Sequence, residues 1–167
     1  MTKSTASVKG PAPAIRKARV GEVPEIRRLL LEFAGQKEWN VLPRKMADLY
    51  SLLRDYYVCR EEEGPLLGIA ALHIFWEDLA EIRSLVVVPE SQRRGLGSRL
   101  MDTCLEEARL LGLKRVFVLT SEAGFFERFG FKEVPRGELP VIVWAECTDC
   151  VKFPDCDEFP MMLDLWS

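Results

Sequence analysis

The stretch Leu85-Val86-Val87-Val88-Pro89-Glu90-Ser91-Gln92-Arg93-Arg94-Gly95-Leu96-Gly97-Ser98-Arg99-Leu100 decides the fold. A β-branched strand stops at Pro89, which cannot donate a ladder hydrogen bond. A basic loop with two glycines follows, and a helix begins at once. The first turn of a helix leaves backbone N–H groups unpaired, and with the helix dipole they attract anions. Gly95 and Gly97 have no Cβ, so a phosphate can come close to the backbone. Arg93, Arg94 and Arg99 add positive charge. A Gly-x-Gly alone also fits a solvated strand–loop–helix junction. The strand before it and the long amphipathic helix after it favour a phosphate cradle. Two other phosphate loops do not fit. A P-loop ends Gly-Lys-Ser/Thr, whereas this chain reads Gly97-Ser98-Arg99. A dinucleotide fingerprint needs a third glycine, which is missing.

Downstream, Leu96, Leu100, Met101, Cys104, Leu105, Ala108 and Leu111 form a helical stripe closed by Gly112. Arg115–Leu119 reads as a buried strand, 125–129 as a short helix, and 131–134 and 161–165 as final strands. Upstream, 15–18 reads as an edge strand and 21–33 as an amphipathic helix, with Pro24 tolerated in its first turn. A loop at 35–43, a second helix at 44–53 and a hairpin of 56–61 with 66–75 come next. The strand 80–88 leads into the decisive loop. The order β-α-α-β-β-β-α-β-α-β-β predicts an α/β (α+β) mixed sheet covered by helices.

The 167 residues suit one domain, expected over 15–167 behind a disordered tail at 1–14. A net charge of −3 argues against nucleic acid as the main partner. No apolar run approaches a bilayer span, and the N-terminus has no signal-peptide core, so no membrane partner and a cytoplasmic location are expected. A homodimer is compatible with the sequence. Five cysteines, an odd number, argue against a disulfide framework.

The sequence resembles the GNAT acetyltransferase superfamily. Gln92, Gly95 and Gly97 match its Gln/Arg-x-x-Gly-x-Gly/Ala signature, and Phe126-Glu127-Arg128-Phe129-Gly130-Phe131 matches its second, short-helix signature. The resemblance implies acetyl-CoA as donor. It implies that loop amides at 92–97 hold the pyrophosphate and that Leu85, Val86, Val87 and Val88 line the pantetheine arm. Cofactor contacts then fall on these four residues, on Gln92, Arg93, Arg94, Gly95, Leu96, Gly97 and Ser98, and on Phe126. Many members carry a tyrosine as acid in the short helix. Here that position is Phe126, which cannot donate a proton. Tyr56 and Tyr57 are set aside as substitutes, because their strand is remote from that helix in sequence.

A finer resemblance is to the short, stand-alone N-acetylglutamate synthases of bacterial arginine biosynthesis. It rests on 42–44, 71–74, 76–85, 125–128 and on Trp144-Ala145-Glu146-Cys147, with the tail 156–158 and 162–165. It implies glutamate, a small amino acid, as acceptor. Arginine suits a carboxylate because its planar fork binds through two hydrogen bonds. Arg44 and Arg83 are the candidates. Arg83 equally fits a structural ion pair with Glu81 or Glu77, and Arg44 a solvated surface. The attacking amine must lose a proton, and Glu81 is the candidate base, acting through water. Its other reading is the partner of Arg83. An oxyanion donor is expected near Val86, at a strand bulge. His73 reads as a satisfied core residue or as a partner of Glu81 or substrate. Cys147, Cys150 and Cys156 read as reduced loop thiols. The alternative is a zinc site, for which no local histidine supplies a fourth ligand. Two further functional readings stand beside glutamate acetylation: acetylation of another small or protein amine, and a non-catalytic acyl-CoA sensor.

Overall fold

The computed structural model describes residues 11–36 and 41–167. Residues 1–10 of the tail expected at 1–14, and 37–40 of the 35–43 loop, lie outside the described residues. Seven strands form one sheet in the order β1-β2-β3-β4-β5-β7-β6. They are β1 (Ala14–Lys17), β2 (Tyr56–Arg60), β3 (Leu66–Trp76), β4 (Leu79–Val87), β5 (Arg115–Thr120), β6 (Lys132–Glu133) and β7 (Phe159–Asp164). Only β4 and β5 are parallel. The mixed sheet predicted from element order is therefore present. β1 is the edge strand, and Pro13 before it is buried and accepts a 2.8 Å hydrogen bond from Arg99 Nη2.

Five α-helices accompany the sheet: α1 (Val23–Phe33), α2 (Met46–Ser51), α3 (Leu96–Leu110), α4 (Ala123–Glu127) and α5 (Val141–Cys147). Helix α3 buries Leu100, Met101 and Cys104 against Ala70, Ala80, Ile82 and Val116 on one face of the sheet. Helices α1 and α2 cover the opposite face, through Ile26, Leu30 and Leu49 on Val58, Ile69, Ala71 and Val86. The short α5 shares that face, with Val143 packed near Leu79, Phe117 and Met162. Strand alternation explains the division: Ala80 and Ile82 point to α3, and Leu79, Glu81 and Arg83 point the other way. Helix α3 ends as its sequence predicts. Gly112 takes φ +77°, and the Leu113 N–H returns to the Ala108 carbonyl at 3.0 Å.

Two irregularities place the site. The register of β3 with β4 steps from Ala71↔Arg83 to Ile69↔Val86, so β4 carries one extra residue. Ser84 sits in this bulge at φ +56°, and beyond it the even-numbered Val86 points to the face of Arg83. The bulge expected near Val86 thus begins two residues earlier. The second irregularity is that β4 pairs with β5 only from Leu79↔Arg115 to Glu81↔Phe117. Beyond Glu81 the two parallel strands part, opening the sheet at its centre.

The second helix is shorter than expected, because Leu53–Asp55 turns into a 3-10 segment. Helix α5 is not in the sequence-derived order. No helix among the described residues is long and apolar enough to cross a membrane.

Candidate active site

Where the sheet parts, a cleft of about 890 Å³ opens between α2 and α5. That size suits a small-molecule ligand. Glu81, Arg83 and Ser84 of β4 form its floor with Phe75 and Leu119. Leu42, Pro43, Arg44 and Asp48 stand on one side, and Trp144, Glu146 and Cys147 on the other. The candidate base and both candidate substrate arginines therefore meet in one place, although 39 positions separate Arg44 from Arg83.

Glu81 and Arg83 are both buried. Arg83 Nη1 donates to Glu146 Oε2 at 2.9 Å and, more loosely, to Glu81 Oε2 at 3.4 Å. The ion pair anticipated for Arg83 exists with Glu81, but its shorter arm goes to Glu146 and not to Glu77. Burial pushes the Glu81 carboxyl above its ordinary range. Arg83, Arg44 and His73 pull it back, and the Glu146 charge adds to the rise. Arg44 projects from the loop ahead of α2. Its buried Nε has no hydrogen-bond partner among the described residues. The side chain is half-buried and lines the cleft together with Glu81 and Arg83.

His73 lies beside Glu81 across the sheet, paired in register. Its Nδ1 is 2.6 Å from Asp55 Oδ2, and its Nε2 is 4.0 Å from Glu146 Oε1. It is a polar residue with polar partners at the cleft margin. Tyr56 was set aside on sequence distance, yet its hydroxyl sits 3.3 Å from Ser84 Oγ at the bulge. Sequence reasoning also missed Glu146 as a site residue. The available signal was its place in the Trp144–Cys147 stretch.

The glycine loop lies outside this cleft, after the far end of β4. Arg93 has φ +61° and Gly95 has φ +74°. Such left-handed residues turn successive N–H groups to one side, the arrangement of an anion nest. Gly95 caps α3, and no side chain bonds to that helix start. The free amides and the exposed Arg93 suit a diphosphate. Gln92 Nε2 donates to the Val87 carbonyl at 3.2 Å, tying the loop back to β4. Arg94 bridges loosely to Glu61 at 3.4 Å, and Arg99 is engaged by Pro13. Leu96 is buried in the core, so of this residue only the backbone is available to a ligand. A Cβ on Gly97 would rest 3.7 Å from both Phe125 and Val87. Phe126 stacks edge-to-face on Phe125, with ring centroids 5.2 Å apart, and also meets Phe131.

Cys147 and Cys150 are half-buried and Cys156 is exposed, and all three line the cleft. Burial, and then the neighbouring thiol and carboxylate charges, push the Cys147 thiol up. Among the described residues, no three His, Cys, Asp or Glu side chains are arranged to share a metal ion.

A parted mixed sheet, an anion nest at one end of β4 and a polar cleft on its face together define an acyl-CoA-type transferase. The acetyltransferase (GNAT) family profile matches residues 23–131, and this chain belongs to that family. It is an acetyl-CoA-dependent N-acetyltransferase. An amino-acid acetyltransferase of Mycobacterium tuberculosis is 39% identical over 136 residues, covering 80% of this chain and 76% of that protein. An uncharacterized N-acetyltransferase of Chlorobaculum tepidum is 34% identical, covering 90% and 96%. A Mycobacterium tuberculosis protein solved in complex with CoA superposes with a TM-score of 0.75 at 32% identity, over 91% of this chain and 99% of the other. The N-acetylglutamate synthase of Neisseria gonorrhoeae, complexed with coenzyme A and N-acetyl-glutamate, superposes with a TM-score of 0.80 at 28% identity. That match covers 95% of this chain but 36% of the larger synthase.

Proposed function

We propose that this enzyme transfers the acetyl group of acetyl-CoA to the α-amine of L-glutamate, the N-acetylglutamate synthase reaction. The carrying observation is the convergence of Arg44, Arg83 and Glu81 in one cleft where β4 leaves β5. Two arginine forks match two carboxylates. A buried carboxylate with a raised pKa matches an amine that must be deprotonated before attack. Glu81 takes that proton through water, and the neutral amine attacks the thioester carbonyl within a ternary complex. The bulge at Ser84 turns backbone donors of β4 towards the developing oxyanion. The Gln92–Ser98 loop holds the diphosphate, and Leu85–Val88 line the pantetheine arm. Phe126 packs beside the cofactor and supplies no proton, so solvent protonates the leaving thiolate. The names and ligands of the relatives above support the same acceptor.

The test is release of free CoA thiol against a panel of glutamate, glutamine, aspartate, lysine and a peptide amine. Turnover confined to glutamate supports the reading. Turnover on another amine alone overturns the acceptor but leaves the chemistry, and tight acetyl-CoA binding without turnover supports the sensor.

A further inference from the structure

Among the described residues, Glu146 makes a 2.9 Å contact with Arg83, shorter than the 3.4 Å contact of Glu81, and the two partners are unequally fixed. The Arg83 side chain is 7% exposed and rises from the middle of a strand, whereas the Glu146 side chain is 48% exposed on the seven-residue α5. The anion is therefore the partner that can leave. Glu146 faces the sheet because it lies three positions after the buried Val143, one helical turn along the same face. The segment that follows, through Cys147 to Glu158, supplies much of that wall of the cleft.

We propose that Glu146 is an internal surrogate for the acceptor carboxylate. It occupies Arg83 in the ligand-free enzyme and is displaced when an acceptor carboxylate takes the guanidinium fork. This rests on the reading of Arg83 as a carboxylate-binding residue. Three consequences follow. The cleft keeps a buried guanidinium compensated at all times, so no unpaired cation is left when substrate departs. An acceptor that lacks a carboxylate has nothing with which to displace Glu146, so the contact discriminates against simple amines. Displacement also unlinks α5 from the floor, which couples acceptor binding to movement of the wall at 141–158. The competing internal pair is partly exposed, so its cost to acceptor affinity is about fivefold, or ~1 kcal/mol.

The experiment compares the wild type with E146Q and E146D in steady-state kinetics, together with hydrogen exchange of residues 141–158 in the wild type. E146Q removes the charge that competes for Arg83, so the KM for glutamate falls about fivefold. The KM for acetyl-CoA stays, and E146D restores a value close to that of the wild type. In the wild type, saturating glutamate with CoA raises exchange across 141–147, whereas CoA alone does not. A KM for glutamate that is unchanged or higher in E146Q overturns the inference. Exchange in 141–147 that is unchanged or slowed by glutamate overturns it too, and that arm needs no variant to fold. Failure of the underlying reading shows separately, as a wild type that acetylates only an acceptor without a carboxylate.

Discussion

Glu81 and Arg83 stand two residues apart on the same face of β4, and the guanidinium reaches past its 3.4 Å contact with Glu81 to a 2.9 Å contact with Glu146. Arg83 therefore compensates the Glu81 charge only in part. Burial wins, and the carboxyl is held above its ordinary range. The two readings that sequence left open for Glu81, base or ion-pair partner, are then compatible. A carboxylate fully neutralised by arginine is a poor base, and this one is not fully neutralised.

The first prediction concerns Glu81→Gln. The amide cannot accept the amine proton, so kcat should fall by about 10²- to 10⁴-fold. In the wild type, kcat/KM should fall as pH drops through the raised Glu81 pKa, on a limb above the ordinary glutamate value of about 4.3. The limb should vanish in the residual activity of E81Q. A wild-type profile flat down to pH 4.5 would remove Glu81 as the base.

The same shift has a stability consequence of opposite sense. The folded-state pKa of Glu81 is raised, so its favourable contribution is complete at low pH and is lost as pH rises through that value. Thermal unfolding across pH 4 to 8 should show the wild type losing ground to E81Q as pH increases. A constant difference between the two curves would mean that Glu81 is not raised in the fold.

Arg44 shows function set against stability. Its buried Nε has no partner among the described residues, a cost to the fold. Arg44→Met should therefore unfold no earlier than the wild type while raising the KM for glutamate by about 10- to 100-fold, the worth of a charge-assisted fork. Arg44→Lys should recover little, because a point charge does not reproduce the fork. Denaturation and acceptor kinetics on the same preparations check both halves.

The fold was legible because its signals are local and periodic. The apolar stripe from Leu96 to Ala108, the Pro89 stop and the glycine loop each carry their meaning within a few turns or one strand, although Leu111, expected in that stripe, is exposed at the helix end. The cleft was half legible. Arg44, Glu81 and Arg83 were named from residue chemistry, and parity on β4 puts Glu81 and Arg83 on one face. Helix α5 was not legible. Val141, Ile142 and Val143 are β-branched, and seven residues are too few for a helical period to show. Packing of Val143 on Leu79 and Phe117, with Pro140 leading in, overrides that propensity. With α5 unseen, the role of Glu146 was unseen. The contact of the Tyr56 hydroxyl with Ser84 was not legible either, because 28 positions separate the two and only the pairing of β2, β3 and β4 brings them close.

Two glycines of the β3–β4–α3 junction should respond differently to alanine. A Cβ on Gly68 would lie 2.7 Å from the Val86 carbonyl, a backbone atom that can yield only if the bulged part of β4 moves. Gly68→Ala should cost roughly 1–3 kcal/mol in denaturant unfolding, as overpacking does. Gly97 has ordinary clearance, its nearest neighbours standing at 3.7 Å. Gly97→Ala should fold normally and leave the KM for acetyl-CoA close to that of the wild type, because the added methyl meets only Phe125 and Val87, at ordinary contact distance, and points away from the loop amides. Equal stability losses for the two would contradict this placement of the loop.

The cysteines offer a chemical map of the same cleft. Cys156 is exposed, Cys147 and Cys150 are half-buried in the acceptor wall, and Cys59 and Cys104 are wholly buried. The thiolate is the reactive form, and burial pushes Cys104 up to about 12 and Cys147 above its usual value. Alkylation of the native enzyme near pH 7.5, followed by peptide mass spectrometry, should label Cys156 first. Cys147 and Cys150 should follow more slowly, and Cys59 and Cys104 only after unfolding. Because Cys147 follows Glu146 on α5, its labelling also reports on the wall. If a carboxylate acceptor displaces Glu146 from Arg83, saturating glutamate with CoA should speed labelling of Cys147 relative to Cys156. A rigid wall instead gives protection, since the bound acceptor only blocks access. The sign of that single rate change therefore separates a cleft that opens on binding from one that is merely filled.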